Sequence, residues 1–237
     1  MKLHLTEWGH GDRTALLVHG LSNSNLTWIA VAETLAGRGY RVIAPDLRGH
    51  GKSPRGAYSP SDWAEDLVDS LPRGADVAIG HSLGGVALLL AADRLLPKRA
   101  IYEDPAWLLP AAIQPAARAS FASRKTQTRE DVAAANPRWP EADVANRHAS
   151  FQLWDVATAE GFMTGDEIDH TPTTPPARPS LVLLADPSEL VPPANAARLR
   201  QLGWQVETIP GTRHMVHLDA PDAYVEAVLK FAEASDR

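Results

Sequence analysis

Short apolar runs recur along the chain. Each closes in a polar or glycine-rich turn and gives way to a stretch with helical spacing. Residues 15–18, 40–45, 77–79, 100–102, 180–185 and 205–209 read as strands. Runs of this kind, apolar without strict alternation, suit strands covered on both faces of a parallel sheet. Residues 2–7 alternate polar and apolar, as an edge strand does. Helices are expected over 28–37, from the Ser59-Pro60 cap through Leu71, from just past Ser82 to about Leu96, over 192–202, and over 221–234 as an amphipathic closing helix. Strands alternating with helices predict an α/β fold, a mostly parallel sheet of about seven strands with helices on both faces.

Between residues 106 and 178 the pattern changes. Strands disappear, helical periodicity turns patchy, and Trp107, Trp139, Trp154, Phe121, Phe151 and Phe162 sit among alanine, proline and polar residues. A proline-rich stretch, 171–179, ends the segment. An interruption this long in one domain predicts a helical lid, with residues 1–105 and 179–237 as the core. Trp107 and Trp154 are the expected pocket-wall residues; the alternative is that the aromatics only pack the lid onto the sheet.

Composition narrows the chemistry. The 237 residues carry a formal charge of −6, which disfavours nucleic acid and anionic membrane as partners. There is no cysteine, hence no thiol nucleophile and no thiolate metal site. No histidine or carboxylate cluster has metal-ligand spacing, and no phosphate or dinucleotide glycine motif occurs, so no metal or cofactor is expected. With no apolar run of about 18 residues and no secretory leader, a cytoplasmic protein is expected.

The polar clusters fall where strands end, the edge at which open α/β sheets bind ligands. The most informative is Gly80-His81-Ser82-Leu83-Gly84. A strand precedes it and a helix follows, the context in which G-x-S-x-G presents a serine on a tight turn, with helix N–H groups behind it for an oxyanion. The competing interpretation is a structural glycine turn with an idle serine.

Together with His19-Gly20, the run from Asp46 through Arg48-Gly49-His50-Gly51 to Ser53, and Gly211-x-x-His214, this motif makes the chain resemble the α/β-hydrolase superfamily over nearly its whole length. The resemblance implies Ser82 as nucleophile, His214 as its base, and the backbone N–H groups of Leu21 and Leu83 as the oxyanion hole. His217 is the competitor of His214, but at i+3 it points elsewhere. The chain begins one strand late for the superfamily, hence seven strands rather than eight. The acid is less clear. Ser188 occupies the usual position, flanked by Asp186 and Glu189. A second position, used by haloalkane dehalogenases and some lactone hydrolases, falls on Glu103. Glu103 is the favoured acid and Asp186 the alternative, with Glu189 and Asp104 as further options.

The resulting expectation is a serine hydrolase acting through an acyl-enzyme on a medium-sized apolar or aromatic ester or lactone, not a charged metabolite. Carbon–carbon bond hydrolysis, cofactor-free haloperoxidase-like chemistry and ligand binding without turnover are the alternatives. Oligomeric state is not legible in the sequence.

Overall fold

The computed structural model describes residues 1–234. Seven strands form one sheet in the order β1-β3-β2-β4-β5-β8-β9. They are β1 (Leu5–Trp8), β2 (Arg13–Val18), β3 (Tyr40–Pro45), β4 (Val77–His81), β5 (Arg99–Glu103), β8 (Ser180–Leu184) and β9 (Gln205–Thr208). Only β1 runs antiparallel to its neighbour. The expected strand count and layering are therefore observed.

Strand periodicity divides the core in two. Leu16, Val18, Ala78, Ala100, Tyr102 and Val182 face one layer, with helices α2 (Pro60–Ser70), α3 (Leu83–Leu95) and α8 (Pro193–Gln201). Ala15, Leu17, Val77, Ile79, Ile101 and Leu181 face the other, with α1 (Ile29–Gly37) and α10 (Pro221–Ala232). The Ser59 hydroxyl accepts the Asp62 N–H and starts α2, with Pro60 at its first position.

The segment between β5 and β8 folds into α4 (Gln114–Ser123), α5 (Arg129–Ala135), α6 (Glu141–Gln152) and α7 (Ala157–Phe162). It is not free of strands, as the sequence suggests. Two-residue strands β6 (Leu108–Leu109) and β7 (Ile168–Asp169) pair across its two ends, and two residues are too few to show a period-two pattern. Val132, Trp139, Val144 and Phe151 from the insertion pack with Met215 and Leu218, which lie either side of His217 at the short helix α9 (Val216–Asp219). The insertion is thereby anchored to the chain segment that carries His214.

A buried ion pair ties the Asp46–Ser53 loop to α2. Arg48 Nε lies 2.5 Å from Asp66 Oδ2 and Nη2 2.7 Å from Oδ1, with the Asp66 side chain fully buried. Removing one partner of such a pair strands the other charge. Asp66→Ala is expected to cost about 3 kcal/mol, lowering the urea midpoint, while Asp62→Ala, at a side chain 34% exposed, should cost far less.

Candidate active site

β4 ends at His81, and α3 starts at Leu83, so Ser82 alone makes the turn. It does so at φ 53°, ψ −116°, a conformation costly for any residue with a Cβ. Glycine neighbours make room for it. A Cβ on Gly80 would overlap the Gly84 carbonyl, and one on Gly84 would overlap the carbonyls of Val18 and His19. Gly20 lies close enough that a Cβ there would meet the His81 ring and the Ser82 side chain. The loop after β2 thus lies directly beside the serine. Among the described residues, neither the Leu21 nor the Leu83 amide donates to a protein acceptor, which leaves both available to an oxyanion.

The carboxylate that meets His214 is Asp104. His214 Nδ1 lies 2.6 Å from Asp104 Oδ2, and Asp104 is buried. Glu103, the acid favoured from sequence, lies elsewhere. Its Oε1 accepts the His217 backbone N–H at 3.0 Å and contacts His217 Nδ1 at 2.7 Å, fully buried under Trp28, which stacks on the His217 ring. The reason is strand parity. Glu103 pairs in register with His81 and falls on the side of Ile101, facing α1 and α10. The next residue is the first past the strand end, level with Ser82, and it too has a positive φ, 37°. Burial would raise the Glu103 carboxyl, but His217 and His81 beside it hold it below its ordinary value. Asp186, the alternative acid, is exposed; its amide donates to the Thr212 carbonyl and its carboxylate makes no contact with His214.

Three further histidines position the loops, and each has one nitrogen donating to a carbonyl. His19 Nδ1 donates to the Gly20 carbonyl, and its Nε2 accepts the Leu47 N–H. His50 Nδ1 donates to Arg48 and Nε2 accepts the Ser22 N–H, fixing the residue after Leu21. His81 Nε2 donates to the His214 carbonyl at 2.9 Å. Burial pushes all three below the ordinary imidazole value, those of His50 and His81 well below. Such groups stay neutral in the fold but protonate when unfolded, so the unfolded state binds more protons as pH drops below about 6.5. Their stabilisation is complete above that pH and is lost as pH falls toward the depressed folded values. Urea unfolding between pH 7 and 5 should show stability falling by up to about 1.4 kcal/mol per pH unit for each histidine. In His50→Gln the slope should be shallower by one such increment. An unchanged slope would mean that His50 does not titrate this way.

Two cavities meet at the serine. The smaller, about 180 Å³, is bounded by Leu21, Ser82, Trp139, Arg124, Arg147 and His214, among others. The larger, about 520 Å³, also reaches Ser82 and His214 and is walled chiefly by apolar side chains, including Leu109, Ile113, Ala117, Phe162 and Leu190. Trp107 and Trp154, expected in the wall, line neither. Trp107 packs between Tyr102 and Trp204 and donates to the Gly85 carbonyl; Trp154 donates to Thr158 and stacks near His50. Both are core residues because their indole N–H groups find partners inside. The wall aromatics are Phe121, Trp139 and Phe162 instead.

A seven-stranded, mostly parallel sheet with serine, carboxylate and histidine at the ends of β4, β5 and β9 defines an α/β-hydrolase fold. The chain belongs to the alpha/beta hydrolase family, whose profile matches residues 15–227. It is 36% identical over 105 residues to an epoxide hydrolase from Caballeronia sordidicola, covering 40% of this chain and 32% of that protein. Over 259 residues it is 26% identical to the sn-1-specific diacylglycerol lipase of Mus musculus, covering 93% of this chain and 82% of that protein. The chain therefore spans under a third of the first relative's length and most of the second's. Solved structures that share the fold include E-2-(acetamidomethylene)succinate hydrolase, at TM-score 0.79 and 24% identity with 98% and 95% of the two chains covered. Another is the enol-lactonase of Burkholderia xenovorans, at 0.76 and 22% with 98% and 96% covered. Among the described residues no helix is long and apolar enough to cross a membrane.

Proposed function

We propose that this family member is a serine hydrolase that cleaves a carboxylic ester or lactone of small-molecule size, using Ser82, His214 and Asp104. The observation that carries the proposal is the 2.6 Å pair between Asp104 and His214, whose imidazole opens on the same two cavities as the strained Ser82. Ser82 Oγ attacks the carbonyl carbon while His214 takes its proton. Asp104 accepts the hydrogen bond from His214 Nδ1 and stabilises the imidazolium. The Leu21 and Leu83 amides receive the negative oxygen, with the positive end of the 13-residue α3 behind them. The alkoxide leaves with the proton from His214, and water then cleaves the acyl-enzyme by the same relay. The mainly apolar walls of the larger cavity support a medium-sized apolar group on one side of the scissile bond. The insertion, which covers this cavity through α4 and α7, serves as its lid.

The test is labelling by a fluorophosphonate with peptide mapping, beside turnover of p-nitrophenyl butyrate and an aromatic lactone. One phosphonyl group on Ser82 together with turnover supports the proposal. No label and no turnover would remove it in favour of a binding protein.

A further inference from the structure

The small cavity holds two arginines with no counter-ion. Arg147, on α6, is buried. Its Nη1 donates to the Ser22 carbonyl at 3.1 Å and Nη2 reaches the Ser22 hydroxyl at 3.5 Å. Arg124, just past α4, donates through Nη1 to the same hydroxyl at 2.7 Å. Among the described residues no carboxylate pairs with either guanidinium. The carboxylate in the small cavity's wall, Asp219, is taken by Arg213 at 2.8 Å. Each guanidinium lies over a ring, Arg124 Cζ 4.0 Å from the Phe121 centroid and Arg147 Cζ 4.4 Å from that of Phe151. A guanidinium has five N–H donors, and only three of the pair's ten are used inside the protein.

Arg147 is buried and Arg124 half-buried beside it, and two adjacent like charges removed from much of their water are unfavourable unless something of opposite sign joins them. Burial pushes Arg124 down to about 10, and Arg147, deeper and beside Arg124, well below its ordinary value. An arginine fork held against an aromatic ring, with free donors facing a cavity, is suited to a planar carboxylate.

Resting on the hydrolase proposal above, we infer that the substrate carries a carboxylate, received by Arg147 and Arg124 in the small cavity, with its apolar part in the larger one and the scissile carbonyl at Ser82 between them. The substrate class is thus a monoester or lactone of a dicarboxylic acid, or an amphiphile of that kind. This inference departs from the uncharged apolar or aromatic substrate expected from sequence.

Mono-p-nitrophenyl glutarate and p-nitrophenyl pentanoate share the scissile ester and differ in one carboxylate. After correction for their rates in hydroxide, wild type should favour the anionic ester by about 10- to 100-fold in kcat/KM, the size of one charge-assisted hydrogen bond. That ratio should fall toward one in Arg147→Gln and in Arg124→Gln. Without ligand, Arg147→Gln should melt no lower than wild type, because an uncompensated charge has been removed. Glutarate at matched ionic strength should raise the melting temperature of wild type but not of Arg147→Gln. A wild-type ratio near one, or a ratio that survives both substitutions, overturns the inference. So does a loss of melting temperature in both variants with parallel loss on both esters, which marks a structural role. If neither ester is turned over, the glutarate shift alone decides, and if Ser82 also takes no fluorophosphonate the hydrolase proposal fails. A shift abolished by Arg147→Gln keeps the anion site, and no shift in wild type sinks it.

Discussion

Asp104→Asn should lower kcat/KM on a p-nitrophenyl ester by about 10⁴-fold, while Glu103→Gln should keep activity within roughly tenfold. The asparagine preserves shape but can present an N–H to His214 Nδ1, which favours the wrong tautomer and leaves the imidazolium without a counter-charge. Glu103 touches neither Ser82 nor His214. Its carboxylate takes the His217 amide and ring in a site with no solvent, so Glu103→Gln should show its loss in stability, about 1–3 kcal/mol. Steady-state kinetics beside urea unfolding separates the two. A large kinetic loss in Glu103→Gln with a stable fold, and little loss in Asp104→Asn, would return the acid to Glu103.

That correction shows where the sequence was legible and where it stopped. The positions of the strands along the chain, the turn at Ser82 and the Ser59-Pro60 cap follow from apolar runs and local turn chemistry, which are properties of a few neighbouring residues. Choosing between Glu103 and Asp104 needed the register of β5 against β4, a long-range fact. One signal was nonetheless present: if Ala100 and Tyr102 share a face, Ile101 and Glu103 share the other, and only residue 104 leaves the strand at the level of Ser82. Trp107 and Trp154 were misplaced because large aromatics fill cores and pocket walls alike, and only tertiary packing tells the two apart. Arg147 had a legible signal too. It interrupts the buried stripe of α6, between Val144 and Phe151, and a charge on an apolar stripe calls for a partner. Arg124 gave none, since its region has no clear period.

The backbone at Ser82 and Asp104 links the fold to the proposed chemistry. Ser82 and Asp104 lie side by side at the ends of register-paired strands, and both hold positive φ without being glycine. The Ser82 amide donates to the Glu103 carbonyl at 3.0 Å, and the Asp104 amide to that of Leu183 at 2.8 Å. The sheet's hydrogen bonds therefore continue into both turns and hold them there. Local strain of this kind persists only where the surroundings over-determine it.

Ser82→Ala and Ser82→Gly should both lower kcat/KM by 10⁴- to 10⁶-fold, since each removes the nucleophile and leaves only binding and the oxyanion amides. Their stabilities should differ. Alanine keeps a Cβ and so keeps the strain at φ 53°, worth about 1–3 kcal/mol. Glycine adopts that conformation freely but adds about 0.5–1 kcal/mol of unfolded-state entropy. The balance favours Ser82→Gly over Ser82→Ala by about 1 kcal/mol, or roughly 2–4 °C for a chain of this size. Calorimetric melting of the two inactive variants reads this directly. A glycine variant that melts at or below the alanine variant would mean that the turn stores no strain. Activity retained in either variant would mean that Ser82 is not the nucleophile, however well the turn is built for one.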